Sequence, residues 1–339
     1  MSNPKLTLAC LKYDRTTTIH KGFLKLEGVD LRLVELTEPR NAFARVFQGE
    51  FDVSEFSITE YIYYTSRNKS EFIGVPVFPA KRFRHAFIFC NVASDIREPG
   101  SLSGKKIGFA DWVQSAGIWI RGILEEEYGI SGRQARWYAV SMHHWDDRGE
   151  KDNVEPRNGA TINWLENNGR DVKAVMESAL LKGTIDAMGV PFMPDAYRRG
   201  DKRIKRLFEN YKDVEQSYFK KTRIFPIMHV LVARKSLVEE IPDLPRKLFE
   251  LFSRSKTLAR RENRLDRTTS LVWPNHYWDE EEVLFQGDPW AYGLDKNRHI
   301  LEKIIYYCFQ QGVAERMLRP EELFHPSTWE LTEDAISLP

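Results

Sequence analysis

Apolar and polar positions alternate with two different periods along this chain, and the switches between them mark its elements. LTLACLKY (6–13) runs as an apolar strand, Asp14 or Thr16 caps a following helix, and Gly28 ends it before a second strand, LRLVEL (31–36). Glu38-Pro39-Arg40 then opens a helix, NAFARVFQ, that stops at Gly49, and FDVSEFS (51–57) forms a third strand. A helix ITEYIYYTSR (58–67), a strand FIGVPVF (72–78) and a strand AFIFCNV (86–92) complete this half.

Gly104 punctuates SLSGKKIGFA, where a new βα unit begins. A helix from Gln114 to Tyr128, the strand RWYAVS, a charged loop from Met142 to Gly159, the helix DVKAVMESALLKG and the strand TIDAMGV follow. IFPIMHVLVARKS (224–236) reads as a strand returning to the first half. Three helical segments with apolar residues at steps of three and four then close the chain: 245–263, 275–285 and 295–312. Alternating strands and helices predict an α/β protein of two βα lobes, with a hinge, an interlobe cleft and a helical C-terminal segment. The sequence assigns residues 1–93 and 225–339 to lobe 1, places the first crossing near Ser94, and makes 94–224 an inserted lobe 2.

Composition narrows the classes of function. The 339 residues carry 50 Lys and Arg against 49 Asp and Glu, a formal charge of +1, so no basic excess attracts nucleic acid or an anionic membrane. A hydrophobic fraction of 42% supports a packed core. No run of 18 apolar residues occurs, so no spanning helix is predicted. Lys5, Lys12, Asp14 and Arg15 interrupt the start where a secretory leader needs an apolar stretch, and the expectation is a cytoplasmic protein. Cys10, Cys90 and Cys308 lie far apart in apolar segments and read as small buried hydrophobes.

The chemistry should sit on loops that enter the cleft. Arg40, at a helix start, could hold a carboxylate with the free amides there, or pair with Glu35 or Glu38 on the surface. Ser54, Glu55 and Ser57 end the third strand; Ser57 with Glu60 three residues on also fits a plain capping box. In KRFRH (81–85), an extended chain would send Arg84 and His85 to opposite faces, so only a bend would bring both to one pocket; the alternative is two solvated arginines and a structural histidine. Gln114 and Ser115 open a helix, either as an anion site or as a plain N-cap, and Trp112 just before them could cover an aromatic ring or fill the core. His229 could reach the cleft from the returning strand or be a satisfied core histidine. His143, His144, Asp146 and Asp147 are metal-ligand types, but adjacent positions lack a recognisable ligand spacing.

YDRT (13–16), EPRNAFARV (38–46), FDVSEFSITEYI (51–62), VPVFPAKRFRHAFIF (75–89), QSAGIWIRGILEEEYG (114–129), IFPIMH (224–229) and DPWAYGLDKNR (288–298) together resemble the 4,5-dihydroxyphthalate decarboxylase family. The resemblance runs the length of the chain in order. It implies a type II periplasmic-binding-protein-like fold and non-oxidative removal of CO2 from a hydroxylated aromatic dicarboxylate, most simply 4,5-dihydroxyphthalate to protocatechuate. Asp111-Trp112-Val113 and the loop SMHHWDDRGEKDN depart from the family pattern beside the expected pocket. For such a reaction Arg40 and Arg84 are expected as carboxylate clamps, His85 as first and His229 as second proton donor, and Glu55 as the group that polarises the catechol. Ser54, Gln114 and Ser115 would bond the ring substituents, with Trp112 over the ring. No cofactor is expected, a divalent metal is left open, and the partner is a small aromatic acid, with self-association left open. The alternative keeps the fold without the chemistry, as a cytoplasmic or exported solute-binding protein for an aromatic acid.

Overall fold

The computed structural model describes residues 3–36, 45–46, 48–140, 154–265 and 269–336. The expected helix at 41–48 falls largely outside these, as do Arg40 and the His143, His144, Asp146 and Asp147 group.

Two sheets organise the chain. The first orders its strands β2-β1-β3-β11-β4, from β1 (Lys5–Leu11), β2 (Asp30–Leu36), β3 (Val53–Ser57), β4 (Phe72–Val75) and β11 (His229–Arg234). Strands β1, β2 and β3 are parallel, joined by crossovers, while β11 inserts antiparallel between β3 and β4. Such central strands are covered on both faces, and β3 is buried at all of its positions. The second sheet runs β10-β5-β9-β6-β7-β8, from β5 (Ile88–Asn91), β6 (Lys106–Phe109), β7 (Arg136–Val140), β8 (Ile162–Leu165), β9 (Ala187–Gly189) and β10 (Ile204–Arg206).

Strand β5 pairs antiparallel with β9 and β10 in the second sheet. Sequence reading attached it to the first half, because an apolar strand carries no mark of which sheet it will join. The chain therefore passes between sheets at 76–87, ahead of Ser94, and comes back over 207–228. These two passages bond to each other: Lys81 bridges Ile227, the Arg82 amide donates to Pro226 O at 2.9 Å, and the Met228 amide to Ala80 O at 2.8 Å. The paired double crossing forms the hinge segment, the two stretches of chain that join one sheet to the other.

Helices fill the faces. The longer ones are α1 (Ile58–Ser66), α2 (Ser115–Tyr128), α3 (Val172–Leu181), α4 (Tyr211–Thr222), α5 (Leu244–Asn263), α6 (Pro274–Phe285) and α7 (Leu294–Gln310). Eight of the nine residues of α1 are buried, the behaviour of a helix enclosed on every side. Helix α2 ends at Gly129, whose φ of 69° needs a residue without a Cβ penalty, and its amide closes the last turn on Glu125 O. At Gly122 the ring of Tyr307 from α7 comes so close that an added Cβ would lie 2.3 Å from it, so α7 locks onto α2. Trp119, fully buried, donates its indole N–H to Ile227 O at 2.8 Å and ties α2 to the returning passage. All three cysteines are buried, as expected of small hydrophobes. Among the described residues no helix is long and apolar enough to cross a membrane.

Candidate active site

Register decides which polar side chains meet. In β3, Glu55 and Ser57 lie two residues apart and so share a face, and Ser57 pairs directly with His229 across the antiparallel β3–β11 ladder. Glu55, Ser57 and His229 thus stand on one face of the first sheet. Ser54 points the other way, and its hydroxyl donates to Glu55 O at 2.8 Å.

Glu55 has no exposed surface, and a carboxylate there persists only if its oxygens are satisfied. They are. The Leu11 amide donates to Oε2 at 2.9 Å, while Oε1 takes both the Tyr13 hydroxyl at 2.6 Å and His229 Nδ1 at 2.5 Å. Burial pushes the Glu55 carboxyl up, but the His229, Tyr13 and Leu11 contacts outweigh it and hold it below its ordinary value. Burial and the Glu55 charge push the Tyr13 hydroxyl far up, so it stays a neutral donor. With Glu55 ionised, His229 presents an N–H at Nδ1 to it.

Beside this pair the two lobes touch through hydroxyls. Ser115 Oγ lies 3.0 Å from both Ser57 Oγ and Thr59 Oγ1 and donates to Met228 O at 2.9 Å; Thr59 donates to Val113 O at 2.6 Å. Ser57 Oγ also accepts the Glu60 amide, so the plain capping role holds together with the interlobe one. The first turns of α1 and α2 converge on this cluster, two positive dipole ends around three hydroxyls. Gln114, the residue before α2, is half-buried and gives no side-chain cap.

Arg84 and His85 do meet a bend, since a short 3₁₀ turn runs over His85–Phe87. It sends them to different neighbours. The Arg84 guanidinium, 6% exposed, rests Nε and Nη2 on the Met228 sulfur at 3.1 and 2.5 Å, and Nη1 has no hydrogen-bond partner among the described residues. Burial and then the Arg82 charge lower its pKa to about 9, with Glu215 opposing. A thioether is a weak acceptor, so among the described residues this cation has no anion of the kind its geometry suits. His85 packs on Phe208 and Tyr218 with ring centroids 5.4 and 5.2 Å away, and among the described residues neither ring nitrogen finds a hydrogen-bond partner. Burial lowers its pKa to about 4, so it is neutral at pH 7. The Glu215 carboxyl, 4.0 Å from His85 Nδ1, is raised by burial to about 7 and accepts the Ala86 amide at 3.0 Å.

Trp112 belongs to the core. Its indole N–H donates to Gln311 O at 3.0 Å, and the Arg121 guanidinium lies 3.8 Å from its ring centroid. Tyr13, Arg15, Thr59, Met228 and Tyr292 were not singled out by sequence, although YDRT, SITEYI, FPIMH and DPWAYG contain them. Tyr292 has no exposed surface, and its hydroxyl, pushed up by burial, has no hydrogen-bond partner among the described residues. An outer groove of about 410 Å³, lined by residues of α4 and α6 such as Lys220 and Glu280, includes none of these groups. Among the described residues no three His, Cys, Asp or Glu side chains group as metal ligands.

No family profile matches the chain. A curated protein of Comamonas testosteroni named 4,5-dihydroxyphthalate decarboxylase is 32% identical over 336 residues, covering 97% of this chain and 99% of that one. One of the same name from Pseudomonas putida is 25% identical over 221 residues, 65% of this chain and 83% of the relative. Among solved structures, the periplasmic aliphatic sulphonate binding protein SsuA of Escherichia coli superposes with a TM-score of 0.55 at 14% identity, over 100% of this chain and 97% of its own. The alkanesulfonate-binding SsuA of Xanthomonas axonopodis, solved with MOPS, gives 0.54 at 14% identity over 96% and 99%. These likenesses establish the periplasmic-binding-protein-like fold expected from the sequence.

Proposed function

The chain belongs to the 4,5-dihydroxyphthalate decarboxylase family, and from that premise we propose that it releases CO2 from 4,5-dihydroxyphthalate to give 3,4-dihydroxybenzoate, with His229 as proton donor. The observation that carries the residue assignment is the 2.5 Å contact of His229 Nδ1 with the buried Glu55 carboxylate.

The chemistry asks for one proton at one ring carbon. Once ionised, the hydroxyl para to the leaving carboxylate pushes an electron pair into the ring, and the carboxylate-bearing carbon takes a proton. The C–C bond to the carboxylate then breaks, its electron pair restores the aromatic ring and the phenolate, and CO2 leaves. Imidazolium His229 gives that proton from Nε2, while Glu55 holds the ring orientation and the positive charge through Nδ1. Water then reprotonates the pair. Positioned acid help of this kind contributes about 10² to 10⁴ in rate.

Arg84 takes the retained carboxylate, exchanging a sulfur contact for a charge-assisted pair of hydrogen bonds. The hydroxyls of Ser57, Thr59 and Ser115 and the two helix starts hold the ring oxygens or the other carboxylate. His85, neutral and packed among aromatic rings, supports the hinge rather than the chemistry.

Incubation of the purified protein with 4,5-dihydroxyphthalate in D2O tests the reading, with and without a chelator. Equimolar CO2 and 3,4-dihydroxybenzoate carrying one deuteron at the vacated carbon support it. Binding of the acid without CO2 release would leave a solute-binding protein instead.

A further inference from the structure

We infer that Tyr13 is a positioning residue that sets the pH range of the Glu55–His229 pair; this rests on the proton-transfer role proposed for that pair. Two donors share a single carboxylate oxygen here, Tyr13 Oη at 2.6 Å and His229 Nδ1 at 2.5 Å, both on Oε1. A carboxylate oxygen that already accepts one strong hydrogen bond has less charge to offer the second. Tyr13 therefore competes with the imidazolium for the charge that stabilises it. It also fixes the plane of the carboxyl group, since Leu11 N holds the other oxygen.

The fold invests in keeping that hydroxyl in place. Tyr13 sits between β1 and a 3₁₀ turn (Asp14–Thr16), its amide donating to Thr16 Oγ1 at 2.9 Å and its carbonyl accepting the Thr17 hydroxyl at 2.9 Å. Arg15 lies 4.1 Å from the centroid of the Tyr13 ring and 3.9 Å from that of Trp290, and its Nε donates to Pro79 O at 2.8 Å in the hinge. Ring, guanidinium and indole thus form a stack anchored to the passage between lobes.

Other ionisable groups stand around Glu55. From β1, the Cys10 thiol is pushed well up by burial; from the helical turn after it, the His20 ring is pushed down by burial. From the 288–293 segment, Tyr292 is pushed up by burial. Arg15 adds a cation that acts on both tyrosines, and Arg84 adds one beside Met228, next to His229 in the chain.

Tyr13→Phe removes the hydroxyl and leaves the ring for Arg15 to stack on. With one donor gone, Oε1 holds the imidazolium more strongly, so the alkaline limb of the kcat profile moves to higher pH by about one unit. At the pH optimum kcat falls about ten- to hundredfold as the carboxyl loses its orientation, with KM little changed. Placing 3-fluorotyrosine, a stronger donor, at position 13 moves the limb the opposite way and covers the case in which Tyr13→Phe fails to fold. His229→Asn, run alongside, separates the two readings. If it leaves kcat intact, the proton-transfer pair itself is wrong. If it collapses kcat while the Tyr13→Phe and fluorotyrosine profiles superimpose on the wild type, Tyr13 is structural only and the inference falls.

Discussion

Ser115 Oγ, in the first turn of α2, lies 3.0 Å from Ser57 Oγ at the end of β3, so one hydroxyl pair joins the two sheets of the molecule. Both side chains are buried, at 3% and 4% exposure, and Ser115 also satisfies Met228 O in the returning passage. Ser115→Ala would remove one of the two donors to that carbonyl, which keeps the Ile58 amide at 3.0 Å, and should cost about 0.5–1.5 kcal/mol of unfolding free energy in urea titrations. A double-mutant cycle with Ser57→Ala should return a coupling of roughly 0.5–3 kcal/mol. Additive single effects would mean that the lobes are held elsewhere.

Glu55→Gln keeps the shape of the buried carboxyl and removes its charge. The imidazolium of His229 then loses its counter-charge, and kcat should fall by about 10² to 10⁴ while substrate still binds. Steady-state kinetics with a parallel calorimetric titration separate the two quantities. Loss of binding with kcat retained would contradict the assignment.

Arg84→Lys tests the carboxylate clamp. An ammonium is a point charge and cannot reproduce two parallel N–H bonds, so affinity should drop about ten- to hundredfold. Calorimetry with 3,4-dihydroxybenzoate reads the loss for the retained carboxylate alone. An unchanged affinity would place the clamp on another residue.

How much of this was legible in the sequence follows from the physics of each element. Period-two alternation puts Glu55 and Ser57 on one face and Ser54 on the other, and that alternation was available from FDVSEFS alone. The antiparallel seating of β11, which sets His229 opposite Ser57, was not, because pairing between residues 172 apart leaves no local mark. The same blindness misplaced β5. Trp112 shows the limit of reading a site from its neighbours in sequence: it precedes the helix start that meets Ser57, yet its ring turns into the core against Arg121. Tyr13 escaped notice because a tyrosine at a strand end has no distinguishing spacing, and only the fold brings it to Glu55. Arg40 falls outside the described residues, and its expected role as a clamp stands as sequence made it.

His85→Phe separates hinge packing from catalysis. Burial lowers the histidine to about 4, against an ordinary value near 6.5, so the unfolded chain binds the extra proton between these values. The wild type is therefore fully stable with respect to this group above pH 6.5 and loses stability as pH falls toward 4. Glu215, raised by burial to about 7, has the opposite sign, stabilising below pH 4.5 and losing that contribution as pH rises through 7; it is present in both proteins. Between pH 7 and pH 5 the wild type should lose roughly 1–2 kcal/mol more than His85→Phe in chemical unfolding, and the variant should keep kcat within a fewfold. A variant that folds normally but no longer turns over would return the proton-donor role to His85.

The central claim is that His229, held by Glu55, delivers the proton that releases CO2. Single-turnover reaction of excess enzyme with 4,5-dihydroxyphthalate, comparing wild type with His229→Gln, tests it most directly. The expected result is full conversion to 3,4-dihydroxybenzoate and CO2 by the wild type and at least about a hundredfold slower reaction by the variant, with substrate still bound. Equal rates in the two proteins, or no CO2 from the wild type, would contradict it.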